Sequence, residues 1–206
     1  MIIYVESNFI LELALEQEQC QSCEEILKIC ESGNGSLVVP AFCIAETYQT
    51  LRRRANERRQ FGKLLGDELT LLGRTKSYNK DINTLQDVTS ILAKSIEEEI
   101  KRFDQVLNER FNKAELILLE QTIITDAIKS ESQFNLKPAD AIVYASILQH
   151  LMKTEIDHKC FLNKDRKGFG DSDIVAELGT YNCKIFFSFD DGFNYIQHQI
   201  QPKMPA

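Results

Sequence analysis

The chain has 206 residues, 43% hydrophobic and 27% charged, which suits one well-buried core, alone or with a sizeable insertion, and excludes a disordered or collagen-like chain. A formal net charge of -7 argues against a protein that holds nucleic acid mainly through a broad basic surface; it leaves room for local basic patches and for carboxylates gathered around a cation. No apolar run is long enough to span a bilayer. The cysteines at 20, 23, 30, 43, 160 and 183 fall mostly within helix or strand patterns. With no signal peptide ahead of them and no second pair at zinc spacing beside Cys20 and Cys23, they read as reduced thiols of a cytoplasmic protein.

Ile2-Ile3-Tyr4-Val5 is a short apolar run, as expected of a strand buried on both faces, and Glu6 ends it. Helices are predicted from Phe9 to Leu15 and from Gln17 to Glu31, the second stopped by Ser32-Gly33-Asn34-Gly35. Leu37-Val38-Val39 is the next strand, and Pro40 stands where a helix through Glu46 and Leu51 would take its first turn. Strand, tight turn and helix repeated in this way predict a doubly wound α/β fold with parallel strands.

Between about Gln49 and Ser132 no convincing strand is visible. Ile82, Leu85, Val88, Ile91, Leu92, Ile96, Ile100, Phe103, Val106, Leu107 and Phe111 recur at helical steps, and Leu116, Leu119, Ile123 and Ala127 mark another helix. The expectation is a helical insertion at about 52–132, broken near Gly73 to Asp81, within a single domain of residues 1–206. After Pro138, which opens a helix to Leu151, come a strand at Cys160-Phe161-Leu162, a helix at Ser172–Thr180, a strand at Lys184–Phe187 and a helix at Gly192–Gln199.

Four acids sit where these elements meet: Glu6 after the first strand, Glu46 in the helix after the second, Asp140 in the first turn of its helix and Asp165 beyond the 160–162 strand. In open α/β sheets ligands bind outside the carboxyl ends of the strands, and converging carboxylates there suit Mg2+ or Mn2+. Each acid also has an ordinary role open to it. Glu6 could cap the next helix, Glu46 could be solvated, Asp140 could favour a helix N-terminus, and Asp165 could belong to a charged turn.

Tyr4-Val5-Glu6-Ser7-Asn8-Phe9-Ile10, Val39-Pro40 with Glu46, Pro138-Ala139-Asp140-Ala141-Ile142-Val143 and Phe161-Leu162-Asn163-Lys164-Asp165 together resemble the PIN-domain nucleases in order and spacing. The resemblance covers roughly residues 1 to 50 and 135 to 200. It implies a three-layer α/β/α fold with a central parallel sheet, and a metal-dependent endonuclease acting on RNA. The implied Mg2+ or Mn2+ ligands are Glu6, Glu46, Asp140 and Asp165, supported by Asn8 and Asn163. Hydrolysis would leave a 5'-phosphate and a 3'-hydroxyl, with Asp140 helping to manage the proton. Many such proteins are toxins of toxin-antitoxin pairs, so an antitoxin-like inhibitor and a homodimer are implied partners.

The first acid of that family is usually Asp. Glu6 is one methylene longer, about 1.5 Å of extra reach by bond geometry. The alternative function is therefore a PIN-like nucleic-acid-binding or protein-interaction module with weakened catalysis. A small-molecule phosphoesterase lacks support, since no Gly-rich phosphate loop is present. Arg52 and Arg53, in the run Arg52-Arg53-Arg54 beyond Glu46, are the candidate phosphate contacts.

Overall fold

The computed structural model describes residues 1–200, apart from the side chains of 79–81 and 83–86. Leu85, expected on an apolar helix face, and residues 201–206 of the expected domain therefore lie outside the described residues. The strands β1 (Ile2–Val5), β2 (Ser36–Pro40), β3 (Glu115–Ile117), β4 (Lys159–Leu162) and β5 (Cys183–Phe186) form one sheet. Every pairing is parallel, and the order is β3-β2-β1-β4-β5.

β1 and β4 are buried at every residue, which requires cover on both faces and explains the apolar text of β1 and of Cys160-Phe161-Leu162; Lys159, also buried, donates from Nζ to Tyr181 O at 2.9 Å. That cover comes from α1 (Ser7–Leu15), α2 (Cys20–Glu31), α3 (Ala41–Leu72), α4 (Asn79–Gln105), α5 (Gln121–Phe134), α6 (Pro138–Met152), α7 (Arg166–Phe169), α8 (Ser172–Thr180) and α9 (Phe189–Ile200). α1 packs against α2, α3 and α4, while α5 packs on α6. Edge-to-face ring pairs, Phe9 with Phe189 and Phe161 with Phe169, lock α9 and α7 onto the core. The expected mixed α/β fold with a central parallel sheet is the one observed.

Two local expectations are corrected. β3 lies inside the stretch expected to be wholly helical. It has only three residues and pairs along one edge with Val38, Val39 and Pro40; Leu116 is exposed, and the run Leu116-Ile117-Leu118-Leu119 leads into α5 with no Gly or Pro between, so its apolar text reads equally as helix. Leu116 and Leu119 accordingly precede α5 instead of belonging to it. Pro40, expected in the first helical turn, is the last residue of β2 and stands immediately before α3; at the end of a strand its missing N–H costs little.

The long amphipathic helix is present as α4 and continues through a π-turn at Val106–Arg110. Ile96, Phe103, Val106 and Phe111 are buried, whereas Val88 and Ile91 are exposed. Arg58 of α3 joins Glu99 of α4 at 2.5 Å, a tie between the two long helices. All six cysteines are free thiols. Among the described residues, no helix is long and apolar enough to cross a membrane.

The sheet order fixes where a ligand would enter. From β1 the chain builds outward to β2 and β3, then returns to add β4 and β5 on the other side of β1. The crevice outside the carboxyl ends of β1 and β4 is therefore the topological switch point.

Candidate functional site

Val5 and Leu162 pair as the last residues of β1 and β4, so Glu6 and Asn163 leave the sheet side by side. Glu6 is the N-cap of α1, and its Oε2 accepts the backbone N–H of Asn8 at 3.0 Å. The capping role open to Glu6 is therefore filled by one of its two oxygens. The side chain is buried, with 7% of the residue exposed, and Oε1 lacks a partner at bonding geometry. Burial pushes the carboxyl up to about 7; Asn8 and the nearby backbone N–H of Lys164 pull it partly back, and the charge of Glu46 adds to the rise.

Glu46, in the second turn of α3, accepts a hydrogen bond from Ser7 Oγ. Thr47 Oγ1 donates to Cys43 O at 2.8 Å and reaches Ser7 O at 3.4 Å, so the start of α1 is stitched to α3 beside this acid. Asp140 is the third residue of α6, whose first residue is Pro138, placed where a helix needs no N–H donor. Its Oδ2 is buried without a partner. Burial raises the Asp140 pKa, followed by repulsion from Asp165; Lys137 opposes the rise and Glu46 adds to it.

Asp165 caps α7, a single helical turn that the sequence did not disclose. Its Oδ1 accepts the backbone N–H groups of Lys167 and Gly168, each at 3.0 Å, while Phe169 plugs the turn into the core. Oδ2 is left facing Asp140. Both Oδ2 atoms border the space beside Gly168, where a methyl carbon would stand 3.1 Å from that of Asp165 and 3.2 Å from that of Asp140. Asn163 is 0% exposed, and neither polar atom of its side chain has a partner. Buried polar atoms are nearly always hydrogen-bonded, so unpaired oxygens on Glu6 and Asp140 and an unpaired Asn163 amide mark this crevice as built for something polar.

Asp140 and Asp165 thus meet across one small space, and Glu46 acts electrostatically on both Glu6 and Asp140. Among the described residues, however, no three His, Cys, Asp or Glu side chains already stand close enough to hold an ion. Glu46 is turned to Ser7, and one oxygen of Asp165 is committed to α7. The donors still fit a hard divalent cation in kind: they are all oxygens, and two buried ones await a partner.

The two candidate arginines part company. Arg52 Nε donates to Tyr48 Oη at 3.0 Å, and its guanidinium lies 5.2 Å from the Tyr48 ring centroid, in a groove between α3 and α4 that Arg59, Ile100 and Phe103 also line. Arg53 follows Glu46 by seven residues, about two helical turns, and so shares its face of α3; it pairs with Glu57 at 3.0 Å. Asp190 and Asp191 lie in the first turn of α9, where Asp190 accepts Ser22 Oγ at 2.5 Å.

A half-buried ion pair beside the site carries no motif in the sequence. Glu12, 1% exposed, binds Lys164 Nζ at 2.6 Å through Oε1 and the backbone N–H of Gln19 at 2.9 Å through Oε2. Lys164 lies between Asn163 and Asp165, so the pair anchors the turn carrying both. A lone acid among Phe9, Ile10, Leu11, Leu13 and Ala14 was the available signal. Glu12→Ala should cost about 2 kcal/mol in urea denaturation, below the range for a fully buried pair because Lys164 is partly solvated.

Fold and site together define a doubly wound α/β protein with carboxylates collected at its switch point. The chain belongs to the PIN domain family: the family's sequence profile matches residues 3–169, from β1 through α7 and including all four acids. PIN domains are generally nucleases. No curated protein matches the chain.

Proposed function

We propose that the protein is a metal-dependent endonuclease that hydrolyses phosphodiester bonds in RNA, with Glu6, Glu46, Asp140 and Asp165 holding Mg2+ or Mn2+. The carrying observation is the pair of buried, unpartnered carboxylate oxygens, Glu6 Oε1 and Asp140 Oδ2, in the β1–β4 crevice. A bound divalent ion would supply a more acidic water and offset charge developing at phosphorus. Asp165, fixed by its cap on α7, presents Oδ2 toward Asp140. Asp140, with its pKa raised at the helix start, is suited to take the proton from the attacking water. Glu46 reaches the set by releasing Ser7, and Asn8 and Asn163 frame it.

RNA cleavage in the cytoplasm accords with six free thiols; the family resemblance adds an antitoxin-like inhibitor and a second copy of the chain as partners. The test is a set of defined single-stranded RNAs incubated with Mg2+, Mn2+ or EDTA. Internal cleavage to 5'-phosphate ends, abolished by EDTA, is expected. RNA binding without cleavage in either metal would favour the binding-module alternative.

Arg53, on the face of Glu46, is proposed to meet the RNA backbone, with Arg52 contributing less because Tyr48 holds it. Arg53→Gln should flatten the dependence of log K for single-stranded RNA on log salt by about 0.7, measured by fluorescence anisotropy. An unchanged slope removes Arg53 from the interface.

A further inference from the structure

Gly168 has no backbone reason to be glycine. Its φ is outside the left-handed region, and it lies within α7, where alanine is the better helix former. Its side-chain direction is another matter. A Cβ there would meet Asp165 Oδ2 at 3.1 Å, Asp140 Oδ2 at 3.2 Å and Asp165 Cγ at 3.3 Å, contacts closer than optimal van der Waals separation.

Neither carboxylate has an easy retreat. Asp165 is pinned by two backbone N–H groups of α7, and Asp140 Oδ2 is buried. Around the same crevice stand the unpartnered Glu6 Oε1 and the fully buried, unpartnered Asn163 amide.

We infer that Gly168 is a positioning residue, whose missing Cβ keeps open the space in which Asp140 Oδ2 and Asp165 Oδ2 approach one divalent cation. The inference rests on the metal assignment proposed above. Displacing two ligands by a few tenths of an ångström is serious for a small hard cation with a near-ideal octahedral shell.

The test is Mn2+ binding by electron paramagnetic resonance on purified, metal-stripped protein, with thermal melting of the same samples. Wild type, Gly168→Ala and a control, Gly179→Ala, are compared; a methyl on Gly179 meets nothing within 4 Å. The expected result is Mn2+ affinity weakened at least about tenfold in Gly168→Ala, the scale of losses when ligand support is disturbed, with the metal-free protein still folded and melting cooperatively. Gly179→Ala should bind as wild type does. Equal affinity in Gly168→Ala, equal weakening in Gly179→Ala, or unfolding of metal-free Gly168→Ala overturns the inference while leaving the metal site standing. Absence of Mn2+ binding by the wild type overturns the metal assignment itself, and the inference with it.

Discussion

Asp140→Asn is expected to lower Mn2+-dependent RNA cleavage by about 10³-fold, the scale of a lost proton acceptor in a transition state, with no loss of thermal stability. The substitution keeps size and shape at the third residue of α6, and Pro138 still starts the helix. It also removes a carboxylate whose pKa is raised by burial and by repulsion from Asp165, so the metal-free fold has nothing to lose. A defect in both cleavage and stability would mean that Asp140 serves mainly the fold. Unchanged cleavage by purified protein would take Asp140 out of the mechanism.

The second large effect concerns Glu6. Its folded pKa of about 7 lies above the 4.5 of an unperturbed Glu, so between those values the folded state binds more protons than the unfolded state. Stability from this group is full below about pH 4.5 and is lost as pH rises through 7. At about 1.4 kcal/mol per pKa unit, the ionised carboxylate costs the metal-free fold on the order of 3 kcal/mol at pH 8. Glu6→Gln retains an acceptor for the Asn8 N–H and removes the charge. The variant should therefore be more stable than wild type by up to about 3 kcal/mol at pH 8, with the gain vanishing near pH 4.5.

Saturating Mn2+ should raise the melting temperature of wild type and shift the variant much less, because only the wild type gains this carboxylate as a ligand. Calorimetry across pH 4.5–8, with and without Mn2+, reads both effects. A variant destabilised at pH 8 would show that ionised Glu6 is well satisfied by its protein neighbours alone.

The residues legible from sequence were those whose elements announce themselves. β1 is an apolar run cut off by Glu6, and Pro138 marks the start of α6 two residues before Asp140. The 160–162 run led to Asp165 because a buried parallel strand must be apolar on both faces. β3 was illegible because a three-residue edge strand within the short run Leu116-Ile117-Leu118-Leu119 cannot be told from helix by periodicity. α7 was hidden because one turn held by the Asp165 cap and Phe169 has no periodicity to detect.

Side-chain placement was harder to read than the order of elements. Arg52 and Arg53 are neighbours in sequence, yet one helical step turned the first onto Tyr48 and left the second on the face of Glu46. Glu46 was found by its place after β2, but nothing in the sequence told of its bond to Ser7. Gly168 carries no signal in the sequence, because only the two carboxylate oxygens beside it give its missing Cβ a role.

The most direct measurement is anomalous scattering from crystals of the wild-type protein soaked in Mn2+ at pH 8, where Glu6 is ionised. The expected result is a peak in the crevice outside β1 and β4, bound by oxygens of Glu6, Asp140 and Asp165, with Glu46 turned from Ser7 toward it. No peak in that crevice at saturating Mn2+, in crystals whose four acids are accessible, would contradict the assignment of a metal-dependent nuclease site.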